Sequence, residues 1–167
     1  IGDNTTNREC VAINRGTRSK GKTVGGENCL LMAYVHVAHD CLIGNNVILG
    51  NTSNLAGEIV IDNYAILSGL VAVHQFVHIG SHVMISGGSL VRKDVPPFIK
   101  AAREPLSFIG INSIGLRRRN FSNEKIKEIQ DIYRELYQKG NNNSQALEKI
   151  ENNIPVSPQS DEVIQFI

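Results

Sequence analysis

Aliphatic side chains recur at every sixth position over Leu31, Val37, Ile43, Leu49, Leu55, Ile61, Leu67, Val73, Ile79, Ile85 and Val91, eleven hits without a break. The residue after each is usually small, as at Gly44, Gly50, Ala56, Ser68, Gly80 and Ser86. A period of six is neither the 3.6 of an amphipathic helix nor the plain alternation of a strand. It fits a short strand, one inward anchor and a sharp corner. Three such sides close an 18-residue triangular coil, and stacked coils pair their strands in parallel. The pattern therefore predicts a mainly β protein, a left-handed parallel β-helix of hexapeptide repeats spanning residues 1–97. Corners fall at Asn45–Asn46, Asn51, Asn54 and Asn63, where asparagine tolerates left-handed backbone. Upstream, Ile1, Ile13 and Val24 anchor looser coils, and Thr17 to Lys22 (TRSKGK) reads as a loop thrown out of one of them.

The repeat is expected to stop at Val95-Pro96-Pro97, since proline cannot donate to a strand ladder. Residues 98–167 read as a linker and a small C-terminal α-helical domain. Ser122 caps a first helix carrying Ile126, Ile129, Tyr133 and Leu136, with Gly140 as its stop. Asn141 to Asn143 reads as a turn, Ser144 as the cap of a second helix, and Ser157-Pro158 as the start of a third. Ile1 opens in the middle of a structural unit and the last residues are apolar. Both ends therefore read as truncated.

Composition narrows the function. The 17 basic and 16 acidic side chains give a net charge of +1, without the basic surplus that nucleic-acid binding needs. No apolar run reaches membrane-spanning length. Cys10, Cys29 and Cys41 are an odd set without a CxxC pair, which points to a reducing compartment rather than a disulfide framework.

Stacking by 18 places His39, Gly57 and Gln75 on one corner of successive coils, and Asp40 above Glu58, with His74 beside Gln75. A histidine next to a carboxylate can be oriented and made more basic, which suits a general base near neutral pH. Gly57 could present a backbone N–H to a developing oxyanion. A corner histidine can equally be a solvated polar residue, and His78 and His82 have no evident role. Hexapeptide β-helices of the carbonic-anhydrase type resemble this one and hold zinc with three histidines between subunits. Here no His-x4-His pair leads to a third ligand.

The runs LLMAYVHVAHDCLIGNNVILGN, LAGEIVIDNYAILSGLVAVHQFVHIGSHVMISGGS, DVPPF and GINSIGLRRRNFS together resemble the UDP-N-acetylglucosamine 3-O-acyltransferase family of lipid A synthesis. The resemblance implies an acyl-carrier-protein-dependent O-acyltransferase, cytoplasmic, homotrimeric and Gram-negative. It implies no metal and no cofactor, the phosphopantetheine thioester being the acyl donor. By the same resemblance His39 is the catalytic base, Asp40 its orienting neighbour and Gly57 the oxyanion donor. His36, His74 and Gln75 line the sugar and acyl-pantetheine path. Asn112, Arg118 and Arg119 hold the nucleotide, and Gly87 sets acyl-chain length. The family is longer at its N-terminus. This chain departs from the family's pattern at Asn14 and Glu58, each replacing a histidine near the substrate, and at Ile114, which replaces a glutamate. An acidic Glu58 could alter the preference between 3-hydroxyl and 3-amino acceptor sugars. Arg92, Lys93, Lys100 and Arg103 are docking charges for an acidic carrier. The paralogous UDP-3-O-acylglucosamine N-acyltransferase and a metal-binding or purely structural β-helix stay open as alternatives.

Overall fold

The computed structural model describes residues 1–140 and 142–167. Each anchor from Leu31 to Val91 is the second residue of a two-residue strand, and none is more than 6% exposed. The residue before it faces outward. Burying one aliphatic side chain per strand stabilises by about 1.5–3 kcal/mol, so the column of anchors is what holds the coils together. Leu30–Leu31, Ile48–Leu49, Ile66–Leu67 and Met84–Ile85 stack in one sheet. His36–Val37, Asn54–Leu55, Ala72–Val73 and Leu90–Val91 stack in a second, and Leu42–Ile43, Val60–Ile61 and His78–Ile79 in a third. All of these ladders are parallel, and Ile48 pairs with Ile66 and His36 with Asn54, the 18-residue register that three hexapeptides require.

Above them the register changes. Thr6 pairs with Leu30 and Ala12 with His36, 24 residues apart, whereas Val24 pairs with Leu42, 18 apart. The six extra residues lie between Ile13 and Val24, where TRSKGK leaves the prism as expected.

Corner geometry differs from the sequence reading. From Leu31 to Ile79 the left-handed residue stands three positions after the anchor, whatever its type: Tyr34, Asp40, Asn46, Thr52, Glu58, Tyr64, Leu70, Phe76 and His82 all have φ between 57° and 69°. Of the corner asparagines, only Asn46 has that conformation, and Asn54 instead opens a strand. Coil closure imposes the backbone, and the packed column offsets a cost of about 1–2 kcal/mol per non-glycine residue. Asn45 and Asn63 contribute differently. Asn63 Oδ1 accepts the Asn45 N–H at 2.7 Å, and Asn45 Oδ1 accepts the Glu27 N–H at 2.8 Å, an amide ladder up one edge.

The sheet also runs past the prolines. Val95 bridges Ile79, and Ile99–Ala102 extends the first sheet by pairing Lys100 with Met84, before Ser107–Ile111 returns antiparallel. Pro96 and Pro97 occupy the corner between them, where no ladder N–H is needed, and Gly80 makes room: a Cβ there would lie 2.6 Å from Pro97 N.

Four helices follow. Helix α1 (Ser113–Arg118), which the sequence did not announce, is capped by Asn112. Helix α2 (Asn123–Tyr137) starts at the Ser122 cap and buries Ile126, Ile129, Ile132, Tyr133 and Leu136. Helix α3 (Asn143–Asn153) is capped by Asn142, not Ser144, because Asn142 and Gln145 exchange reciprocal backbone bonds. The expected turn there includes Asn141, which lies outside the described residues. Helix α4 (Pro158–Phe166) starts at Ser157 with proline in its first turn. The helices share the solenoid's core. Tyr133 donates its hydroxyl proton to Pro97 O at 2.6 Å, Glu162 accepts from Ser81, and Phe166 lies 4.5 Å from the His78 ring. Among the described residues no helix is long and apolar enough to cross a membrane.

Candidate active site

The corner that follows His36–Val37 carries the densest polar chemistry. Asp40 takes the left-handed position with its side chain fully buried. A buried carboxylate must be hydrogen-bonded, and the TRSKGK loop supplies the partners. The Thr17 N–H reaches both carboxylate oxygens at 3.0 and 3.1 Å, and the Thr17 hydroxyl donates to Oδ2 at 2.5 Å. His39 Nδ1 meets the same Oδ2 at 3.0 Å, and the Asp40 N–H donates to Thr23 Oγ1 at 2.9 Å. Thr17 above all, and His39 less, hold the Asp40 carboxyl at about 2, against a burial that pushes the other way.

A carboxyl so depressed stabilises the fold once it ionises. That contribution is complete above the unfolded value of about 4 and is lost as the pH falls toward 2. In acid unfolding followed by circular dichroism, the parent is therefore expected to lose stability between pH ~4 and ~2 more steeply than Asp40→Asn.

With Nδ1 turned to Asp40, His39 keeps Nε2 for chemistry, on a side chain 38% exposed. Gly57 lies directly beneath it: a Cβ on Gly57 would stand 2.5 Å from His39 Cε1 and 2.6 Å from Nε2. The ladder continues down the corner, Glu58 N–H donating to His39 O at 2.9 Å and Phe76 N–H to Gly57 O at 3.2 Å. The Gly57 N–H has no acceptor among the described residues. A donor left open beside an imidazole is what an oxyanion site requires.

Other residues named from the sequence gather nearby. Gln75 follows Gly57 in the same column, and His74 Nδ1 lies 3.1 Å from Gln75 O. Glu58 faces Lys20 Nζ at 3.5 Å. Asn14 stacks over Ala38, its N–H bonded to Val37 O, and His36 lies on the outer face of the adjoining second sheet. Thr17, Thr23 and Lys20 were not singled out in the sequence, because the loop interrupts the period that aligns everything else.

The remaining named residues are not brought here. Asn112 is 2% exposed, its Nδ2 bonded to His82 O and its Oδ1 to the Gly115 N–H. Arg119 donates to Tyr64 O and sits 5.2 Å over the Tyr64 ring, leaving Nη1 buried without a partner. Arg118 is exposed in the last turn of α1. These three cluster at the corner between third and first sheets, where His82 stacks between Tyr64 and Phe98 and burial lowers its pKa to about 4. Gly87 lies at the corner between first and second sheets, where a Cβ would meet Gly69 O at 3.1 Å. Among the described residues no three His, Cys, Asp or Glu side chains form a metal-binding group. Arg92 of the expected docking charges is paired with Glu104.

The triangular coil and its histidine–carboxylate corner define the hexapeptide-repeat class: the family described as bacterial transferase hexapeptide (six repeats) matches residues 26–57. Residues 94–167 match the family described as UDP-N-acetylglucosamine O-acyltransferase, domain 2. An acyl-[acyl-carrier-protein]–UDP-N-acetylglucosamine O-acyltransferase of Aliivibrio salmonicida is 44% identical over 95% of this chain and 61% of its own length. Among solved structures, a UDP-N-acetylglucosamine acyltransferase from Bacteroides fragilis is similar with a TM-score of 0.90 and 53% identity, over 94% of this chain and 62% of that one. The Francisella novicida enzyme of the same name has a TM-score of 0.95 and 41% identity, over 99% of this chain and 61% of that one. Over the segment it spans, the chain is similar to UDP-N-acetylglucosamine O-acyltransferases. That segment is about three fifths of the length of these relatives.

Proposed function

We propose that this protein transfers a 3-hydroxyacyl chain from acyl carrier protein to the 3-hydroxyl of UDP-N-acetylglucosamine, as a first step of lipid A synthesis in the cytoplasm. The observation that carries the reading is the His39 imidazole, fixed by a buried Asp40 and seated on Gly57. His39 Nε2 takes the proton from the sugar hydroxyl as that oxygen attacks the thioester carbonyl. The Gly57 N–H donates to the oxyanion. Collapse forms the ester, breaks the carbon–sulfur bond, and the departing thiolate takes the proton back from His39. Atoms and charge balance without a cofactor beyond the carrier's own phosphopantetheine. Glu58, His36, His74, Gln75 and Asn14 surround the sugar and acyl arm, and Gly87 limits acyl length.

The nucleotide contacts require a second subunit on this reading. Arg118 and Arg119 stand at one corner of the prism and His39 at another, with the third sheet between them. A guanidinium fork suits a diphosphate, and Asn112 contributes by capping the helix that carries Arg118. Packing three prisms around an axis brings one subunit's His39 corner to its neighbour's Arg118 corner. Complementation tests this. His39→Ala and Arg118→Ala are each expected to be severely impaired in acylating UDP-N-acetylglucosamine. Co-expressed, they are expected to regain about a quarter of parental activity, because random closed assembly rebuilds intact sites at that frequency. No recovery in the mixed trimers contradicts a shared site.

A further inference from the structure

We propose that Thr17, through its hydroxyl, is a positioning residue of the His39 base, and that the six-residue insertion exists to deliver it. The inference rests on the reading of His39 as base and adds a group that no resemblance supplied.

The geometry is specific. Upstream coils are spaced by 24 residues where the rest are spaced by 18, and the excess is the segment Thr17 to Lys22. The first residue of that segment and the residue just after it bind Asp40: Thr17 through N–H and hydroxyl, Thr23 through the hydroxyl oxygen that accepts the Asp40 N–H. The loop is closed on Thr17 itself. Gly21 N–H donates to Thr17 O at 2.8 Å, and Ser19 N–H donates to Thr17 Oγ1 at 3.2 Å. With Ser19 engaging its lone pair, the Thr17 hydroxyl directs its single proton at Asp40 Oδ2, the oxygen that also receives His39 Nδ1–H. Lys20, in the same loop, ties its outer end to Glu58 one coil below.

The Thr17 amide alone is shared between the two carboxylate oxygens and does not choose between them. The hydroxyl does, setting the carboxylate plane so that Oδ2 faces the imidazole. A neutral histidine in water favours the proton on Nε2, the wrong tautomer for a base. An Oδ2 held in place selects Nδ1–H and leaves the Nε2 lone pair toward the acceptor. Thr17 thus acts on the reaction through Asp40 and His39 without touching substrate.

Thr17→Val keeps volume, β-branching and amide while removing the hydroxyl. It is expected to lower kcat roughly tenfold to a hundredfold with KM within about twofold, while Thr17→Ser restores the parental rate. The decisive readout is nitrogen-15 NMR of the His39 ring. The parent is expected to show the Nδ1–H form, and Thr17→Val a mixture shifted toward Nε2–H, in a chain that keeps its native circular dichroism spectrum although the lost bond to buried Asp40 lowers its melting temperature. An unshifted tautomer in Thr17→Val overturns the proposal even if the rate falls. If the parent shows no acyl transfer, the proposed reaction fails, and the ring spectrum still decides the role of Thr17.

Discussion

Gly57→Ala is expected to lower kcat by about 10²–10⁴-fold, the range associated with losing a positioned general base. The added methyl would stand 2.5 Å from His39 Cε1 and 2.6 Å from Nε2, well inside van der Waals contact. The backbone cannot retreat, because Gly57 O is held by the Phe76 N–H and the neighbouring Glu58 N–H by His39 O. The imidazole must therefore swing out, and its Nδ1 leaves Asp40. Stability is expected to be little changed. Gly57 does not use the left-handed backbone that penalises alanine, and no core anchor is disturbed. Steady-state kinetics beside a thermal melt separate the two effects. Near-parental turnover with an intact fold would mean that the imidazole does not react from the position it holds above Gly57.

The sequence made the column legible and left the brace obscure, for a physical reason. Anchors such as Leu49, Leu67 and Ile85 repeat because each must fill the same triangular interior. An unbroken period therefore carries its register to every corner and sets His39 over Gly57 and Gln75. Thr17 belongs to the one stretch where the period fails. Its approach to Asp40 depends on loop closure, which no spacing encodes. Corner asparagines misled for a related reason: coil closure dictates which residue turns left-handed, so Leu70 and Phe76 adopt φ of 62° and 69° against their own preference. Pro96-Pro97 looked like the end of the sheet and is a corner within it, because Ile99–Ala102 still finds Met84–Ile85 to pair with. Local capping chemistry was readable at Ser122 and Ser157. It was ambiguous in the Asn-rich segment, where Asn142 rather than Ser144 has the reciprocal Gln145.

The residues drawn from family resemblance divide by corner. His39, Asp40, Gly57, Glu58, His74 and Gln75 meet on one edge of one chain. Asn112, Arg118 and Arg119 meet on another. The third sheet stands between the two corners, which is the ground for the proposal that the reaction lies between subunits.

The most direct test of the whole account compares the natural full-length protein with His39→Ala, each given 3-hydroxyacyl carrier protein and UDP-N-acetylglucosamine, following the acylated nucleotide sugar. Alanine removes the proton acceptor while leaving Asp40 bound to Thr17 and the Gly57 N–H open. Sugar-nucleotide affinity is therefore expected to be kept while turnover falls by about 10²–10⁴-fold. Product from the parent with that loss in His39→Ala is the predicted result. Equal product from both would remove His39 as the base, and no product from the parent would contradict the proposed reaction itself.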